Sequence, residues 1–579
     1  MPAKLPSKSE IVKLFKEWEK RGKPAFSVLA KELKRDVTTV KRWLTSHAER
    51  YGLEPAVVES TSKISKQKKQ LFEAAMADAR GNTSAAAKHL GLTEREFSKE
   101  LQQLGGVEGF YKDLPKVNTY VITSAQNATP VNANFLSSLK QYCKYNNAEL
   151  VIIPLRYKNP TSLWTNTDDK KDWWDESILP YLCDTRQILS PNLLLLADVK
   201  TQPTASDPLS GFESISQDKS GVVGHPKVAL KTVAVPNHKT PKLLITTGSV
   251  TVNNYTPTKA GKKGEFHHSQ SAIVVELDGK QFHTRHLSAV KDGSFIDLDK
   301  EYTVSGVRQA PPAEALIMGD THAQFADDVV LRTTLEGRNS IAGLIKPKHF
   351  VWHDILDFYS ANHHHKHQPF IHLAKHRSGL NIVRDEVVRT FELVNKYMTA
   401  YPGSVHVFPE SNHNAAFGRW MRECDWREDP ANAEFYLQTA LHMATHTRMG
   451  TSGSETPNPF IYWGTQLLEH VKRTRFLSTG ESFIVKDIDV GQHGHLGPNG
   501  SRGSIRSLSK IGVKTFIGHS HSPGIHEGAY QVGTSSRLQL EYNQGPSSWL
   551  HTHGIIYANG KRTLIHVING EYTNKRGKK

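Results

Sequence analysis

Five short segments rich in histidine and aspartate in the second half of the 579-residue chain constrain its fold more than any other feature. Gly319-Asp320-Thr321-His322 follows the apolar run Ala315-Leu316-Ile317-Met318 and precedes a helical pattern through Val329, Val330 and Leu331. His353-Asp354 follows Phe350-Val351-Trp352, and Asn412-His413 comes just after Val405-His406-Val407-Phe408. His493-Gly494-His495 comes soon after Phe483-Ile484-Val485 and Ile488-Asp489-Val490, and Gly518-His519-Ser520-His521 follows Thr515-Phe516-Ile517. A short apolar run closed by polar residues places those residues on the loop leaving the C-terminal end of a buried strand, where open sheets build their sites. The spacing predicts one site gathered from five such loops.

Carboxylate oxygen and imidazole nitrogen together suit borderline divalent ions such as manganese, iron or zinc. None of the five segments carries a cysteine, which argues against a structural zinc site. A carboxylate can bridge two ions, and two ions about 3.5–4 Å apart can activate a water and stabilise an in-line phosphoryl displacement. Any one segment alone reads equally well as ordinary polar loop; five in order do not.

In order and in loop-after-strand context, residues 311–560 resemble the calcineurin-like metallophosphoesterases. That family's pattern runs Asp-x-His, Gly-Asp-x-x-Asp, Gly-Asn-His-Asp/Glu, a His, then Gly-His-x-His. The resemblance implies that Asp320, His322 and His521 hold a first metal, Asp354 bridges, and Asn412, His493 and His519 hold a second. It makes His413 the substrate-facing general acid and Asp357 a structural aspartate. The ions would be two divalent metals, manganese foremost, with iron, zinc and magnesium as alternatives. Choosing His493 over His495 rests on the family's His-Gly-His form. Two departures stand out. His353 replaces the glycine before Asp354, and Ser411-Asn412-His413-Asn414 lacks both the glycine and the acidic residue after the histidine.

The three cysteines are far apart and form no metal-type pair, which fits a reducing compartment. No apolar run approaches ~18 residues and no signal-peptide pattern is present, so a soluble, cytoplasmic protein without a membrane partner is expected. A net charge of +16 favours a polyanionic partner. The pattern of the N-terminus, beyond charge alone, points to DNA. In residues 1–60, two short helices around a polar break read as a helix-turn-helix with Thr39, Lys41 and Arg42 facing outward. In residues 61–108, Gly81 to Phe97 resembles the helix-turn-helix of the Fis family. Gly91 would make its turn, Thr93 would cap its second helix, and Arg95, Ser98, Lys99 and Gln102 would face DNA. A helical bundle for protein contacts is the competing reading, and self-association is left open.

Residues 109–310 read as a middle α/β region of unknown role. A strand over 119–123, a helix over 135–146 and a strand over 150–155 predict a parallel strand-helix-strand opening. Asp278-Gly279 predicts a hairpin, 203–224 a long loop, and Lys259, Lys262 and Lys263 a second, basic loop. In the C-terminal region, the histidine tract 363–367 could reach substrate phosphate or an extra metal, and Arg419, Arg502 and Arg506 could steady phosphates. Residues 311–570 form the expected phosphoesterase domain and 571–579 a basic tail. The expected fold class is therefore α/β: an α+β sandwich metallophosphoesterase core, a middle α/β region and N-terminal all-α helix-turn-helix modules. The architecture is similar in outline to DNA nucleases of this superfamily, among them the early-expressed DNases of large phages. The expected activity is metal-dependent DNA cleavage, in a nucleoid-associated setting or a host cytoplasm. A DNA-binding regulator or scaffold with a weak or inactive phosphoesterase part is the alternative, as is an enzyme acting on RNA or small phosphodiesters.

Overall fold

The computed structural model describes residues 114–157, 173–236, 239–279, 281–451 and 453–574, together with 83–93 and scattered residues before 101. Two compact units divide the chain, 1–112 and 113–579.

In the first unit, the helix Thr83–His89 ends at Gly91, whose φ of +68° is the left-handed conformation glycine adopts most easily. Thr93 then opens the next helical stretch: its backbone N–H donates to Glu96 Oε2 (3.0 Å), and Glu96 N–H donates back to Thr93 Oγ1 (3.3 Å). This reciprocal pair is a capping box. Phe72 stacks on Phe97 (centroids 4.7 Å apart) over Ala75, Ala86 and Ala87 in a small core. Lys99 is exposed, while Thr39, Lys41, Arg42, Arg95 and Ser98 lie outside the described residues.

The second unit is mixed α/β. Its six-stranded sheet runs Thr474–Phe476, Val405–Phe408, His349–Val351, Ala315–Ile317, Thr552–Ile556 and Arg562–His566. The first four strands are parallel; the last two form an antiparallel hairpin on the Ala315–Ile317 edge. Side chains alternate across the pleat. Leu316, Phe350, Phe408 and Ile555 pack under helices through Val330, Leu331, Val387 and Phe391. Ala315, Ile317, Val351 and Val407 face the other way, onto Val222, Leu243, Ile245 and Phe516 of a ten-stranded mixed sheet. A third sheet, of four strands, carries the expected parallel pair Thr119–Gln126 and Glu149–Leu155 and the hairpin Ser271–Asp278/Gln281–Ser288. The helix Ala133–Asn146 joins the parallel pair.

Three expectations are corrected. The stretch 203–224 is not one long loop: it contains the short helix Phe212–Ile215 and the buried strand Ser220–Val223. That strand is only four residues long and opens on Ser-Gly, which hides it in the sequence; Gly221 has no room for a side chain, since a Cβ there would meet Leu196 Cδ1 at 2.8 Å. The basic loop is a helix, Lys259–His267, capped by Thr258, whose hydroxyl accepts from Gly261 N–H (3.2 Å). Lys263 there pairs with Glu527 (2.8 Å) rather than standing free. Finally, the boundary drawn at 310/311 does not separate two bodies. The ten-stranded sheet pairs Leu230–Val233 with Gly524–His526, so strands from both sides form one layer of one compact unit. Among the described residues, no helix is long and apolar enough to cross a membrane.

Candidate metal centre

All five segments converge where the C-terminal ends of the two stacked sheets meet. Asp320 and His322 follow Ala315–Ile317, Asp354 follows His349–Val351, and Asn412 opens the helix Asn412–Glu423 after Val405–Phe408. His493 follows Ile488–Asp489, and His519 and His521 follow Lys514–Ile517, these two strands being parallel in the ten-stranded sheet. The loops are tied to one another by backbone bonds, His322 N–H to Asp354 O (2.7 Å) and Gly518 N–H to His493 O (2.7 Å).

Side-chain geometry brings the seven sequence-assigned ligands together. Three triads have ligand atoms within 4.8 Å of one another: Asp320–His322–His521, Asp320–Asp354–His493 and His322–Asp354–His413. His521 Nε2 lies 3.1 Å from Asp320 Oδ2 and 3.0 Å from His322 Nε2. His493 Nε2 lies 3.0 Å from Asp354 Oδ2. Asn412 and His519 join through Oδ1 and Nδ1 at 3.1 Å, and the His519 amide donates to Asp320 Oδ2 (2.8 Å). His495 belongs to none of the triads; its ring centroid is 5.5 Å from that of His493.

The donor set fits divalent cations. Asp320 Oδ1 and Asp354 Oδ1 are buried without a hydrogen-bond partner, which is costly for a carboxylate unless a cation balances it. Gly518 keeps space beside one of them, since a Cβ there would meet Asp320 Oδ1 at 2.2 Å. Asp357 carries His322: its Oδ1 is 2.8 Å from His322 Nδ1, leaving Nε2 directed at His521. A carboxylate behind a ligating imidazole fixes ring and tautomer. Four of the assigned ligands sit at positive φ: His322 (43°), Asp354 (40°), His519 (75°) and His521 (58°). Such backbone costs on the order of 1–3 kcal/mol per residue and persists where surrounding structure over-determines it, commonly at functional sites.

At His413, His493 and Asp354 burial disfavours the charged form, and oppositely charged neighbours oppose it. For His413 the Asp354 and Asp357 carboxylates outweigh burial and raise its pKa to about 9. His493 is raised by Asp354 and Asp320 against burial, and Asp354 is held well below the usual carboxylate range by His493 and His413. Asp357 also supplies what the sequence seemed to lack at the third segment. His413 Nδ1 is 2.7 Å from Asp357 O and 3.5 Å from Asp357 Oδ1, so an acidic residue does flank the histidine although residue 414 is Asn. Replacing Asp357 by Asn is therefore expected to weaken manganese binding by about 10–100-fold, as outer partners of metal-binding histidines do, measured by calorimetric titration of the full chain.

No family model matches the chain, and no solved structure does. It is 32% identical over 468 residues to protein A1 of Escherichia phage T5, covering 78% of this chain and 82% of that protein. The chain belongs to the phage T5 protein A1 family.

In this member of the protein A1 family, a cleft of about 950 Å³ opens onto Asp354, Asn412, His413, His519 and His521. Of the three arginines singled out by sequence, only Arg502 lines it; Arg419 pairs with Glu423 (3.0 Å) and Arg506 with Asp207 (2.6 Å). Of the histidine tract, His364 lines it. Sequence reading missed Tyr542 and Trp549, which line the same cleft from an irregular segment after the fifth motif. It also missed the role of His353, whose Nδ1 is 3.3 Å from His493 Nδ1. The only available signal for His353 was its departure from the family's glycine.

Proposed function

We propose that this protein is a divalent-metal-dependent phosphodiesterase that cleaves DNA. The reading rests on one observation above the others: two buried carboxylates, Asp320 and Asp354, each present an unpartnered oxygen among four assigned histidine ligands in an open cleft. Asp320, His322, Asp354, Asn412, His493, His519 and His521 would hold two ions, manganese foremost. When bound, such ions activate water at neutral pH and neutralise charge developing on a transferring phosphoryl group. His413 is fixed through Nδ1 on the Asp357 carbonyl, which leaves Nε2 to hydrogen-bond a phosphate oxygen or protonate the leaving alkoxide. Phosphoesterase chemistry and the pair of ions come from the family resemblance of the five motifs. DNA as substrate is supported by the net charge of +16, by the helix-turn-helix pattern of the N-terminal segment and by the cleft arginine. Asp357 against His413 weakens the regulator or scaffold alternative, which leaned on Asn414. We place the protein on DNA in a host cytoplasm, a setting that fits its phage T5 relative.

Plasmid DNA, linear duplex DNA and a small phosphodiester incubated with the full chain and manganese test the reading. Cleavage of DNA that chelation abolishes is expected. Turnover of the small diester without DNA cleavage would move the substrate to RNA or small phosphodiesters; no turnover of any would leave a binding protein. Arg502 makes no ion pair among the described residues, and Arg502→Ala should weaken DNA binding and reduce the slope of log affinity against log salt by about 1.

A further inference from the structure

Beyond the metal ligands, the cleft is asymmetric. Arg502 and His364 supply cationic or hydrogen-bonding groups, and Tyr542 and Trp549 supply aromatic surface. Trp549 sits edge-on to His521, with ring centroids 4.1 Å apart and planes at 68°. Tyr542 sits edge-on to Trp549 at 5.7 Å and 63°, yet keeps 55% of its surface exposed. The two rings thus lead outward in steps from a metal-ligating histidine into open space.

Their segment has no regular secondary structure but is well tied. Asn543 Oδ1 accepts from Leu540 N–H (2.8 Å) and its Nδ2 donates to Leu538 O (2.8 Å). Glu541 accepts from the Tyr359 hydroxyl (3.1 Å), and Ser547 exchanges backbone bonds with Val235 (2.9 and 3.0 Å). Both neighbours of Tyr542 in sequence are thereby anchored while its own ring remains open.

We propose that Tyr542, backed by Trp549, is a stacking platform for the nucleobase of the nucleotide beside the scissile phosphate. This rests on the phosphodiesterase reading and narrows its substrate. Inside a duplex each base already has neighbours on both faces, so a base that stacks on Tyr542 must have left its stack. The site therefore takes DNA as a single strand or a frayed end, with Arg502 on a phosphate and Tyr542 on a base. Aromatic stacking tolerates every base, so the platform adds strand preference without sequence preference.

Two chromogenic diesters with the same leaving group test this: thymidine 5′-(p-nitrophenyl phosphate) and methyl p-nitrophenyl phosphate. The ratio of their kcat/KM values reports the nucleoside alone. In manganese-loaded full-length protein, Tyr542→Ala should lower that ratio about tenfold, within the range for loss of one base stack, and Tyr542→Phe should keep it. An unchanged ratio in Tyr542→Ala overturns the platform while leaving the phosphodiesterase intact. An equal loss in the Phe variant overturns it too, by assigning the effect to the hydroxyl. If wild type cleaves DNA but hydrolyses neither diester, one nucleotide does not engage the site and the platform is overturned; if it also leaves DNA intact, the phosphodiesterase reading fails and the platform falls with it.

Discussion

Asp354→Ala should lower manganese-dependent DNA cleavage by about a thousandfold or more, ~4 kcal/mol of barrier. Asp354 belongs to two of the three ligand triads, contacts His493 through one oxygen and leaves the other unpartnered in a buried site. Removing it takes away the carboxylate proposed to lie between the ions and strips His493 of its nearest carboxylate. The backbone at 354 sits at φ +40°, so alanine adds strain as well as losing a ligand. Asp354→Asn separates the two effects, because asparagine tolerates that conformation and keeps one oxygen donor while losing the charge. Both variants should bind fewer manganese ions per chain, counted by elemental analysis after gel filtration, with an unchanged circular dichroism spectrum. Activity above a tenth of wild type in Asp354→Ala would remove it from the reaction centre.

The second large effect is expected at His413, and it should depend on the leaving group. DNA cleavage expels an alkoxide, which needs a proton, whereas p-nitrophenolate leaves without one. General acid catalysis contributes about 10²–10⁴-fold. His413→Ala should therefore lose about that much on DNA and only a small part of it on a p-nitrophenyl diester. The side chain is placed for this by Asp357, which contacts its Nδ1, and by the cleft, which it lines beside Asn412. Equal losses on both substrates would instead make His413 a phosphate-binding or metal-holding group, consistent with its place in the triad with His322 and Asp354.

The site was legible in sequence because its residues are local to strand ends. Ala315-Leu316-Ile317 announces a strand, and Asp320 and His322 must then leave it on one loop; the same holds for Asp354 and His521. What lies between elements was not legible. Asp357 is visible in the sequence as a spaced aspartate, but its approach to His413 depends on how the loop after His349–Val351 meets the helix Asn412–Glu423. Tyr542 and Trp549 follow no strand and carry no period, so only the folded chain brings them beside His521. In the middle region, the apolar strands over 119–123 and 150–155 and the hairpin around Asp278-Gly279 were readable. Ser220–Val223 was not, because it is four residues long and opens on Ser-Gly, with Gly221 lacking room for a side chain between its leucine-rich neighbours. The N-terminal turn was readable from Gly91 and Thr93, whose conformations are set by their immediate neighbours.

The pairing of Leu230–Val233 with Gly524–His526 carries a consequence for how such a chain can be shortened. A fragment starting near 311 would keep every assigned metal ligand and still lose half of the layer that backs them. Gly524–His526 would become a bare edge with unpaired amides and carbonyls, open to pairing with another copy. The apolar face formed by Ala315, Ile317, Val351 and Val407 would lose Val222, Leu243 and Ile245 and meet water. The middle region is thus the other half of the scaffold behind the candidate metal centre, and the smallest piece that keeps that scaffold whole begins near 113, not near 311.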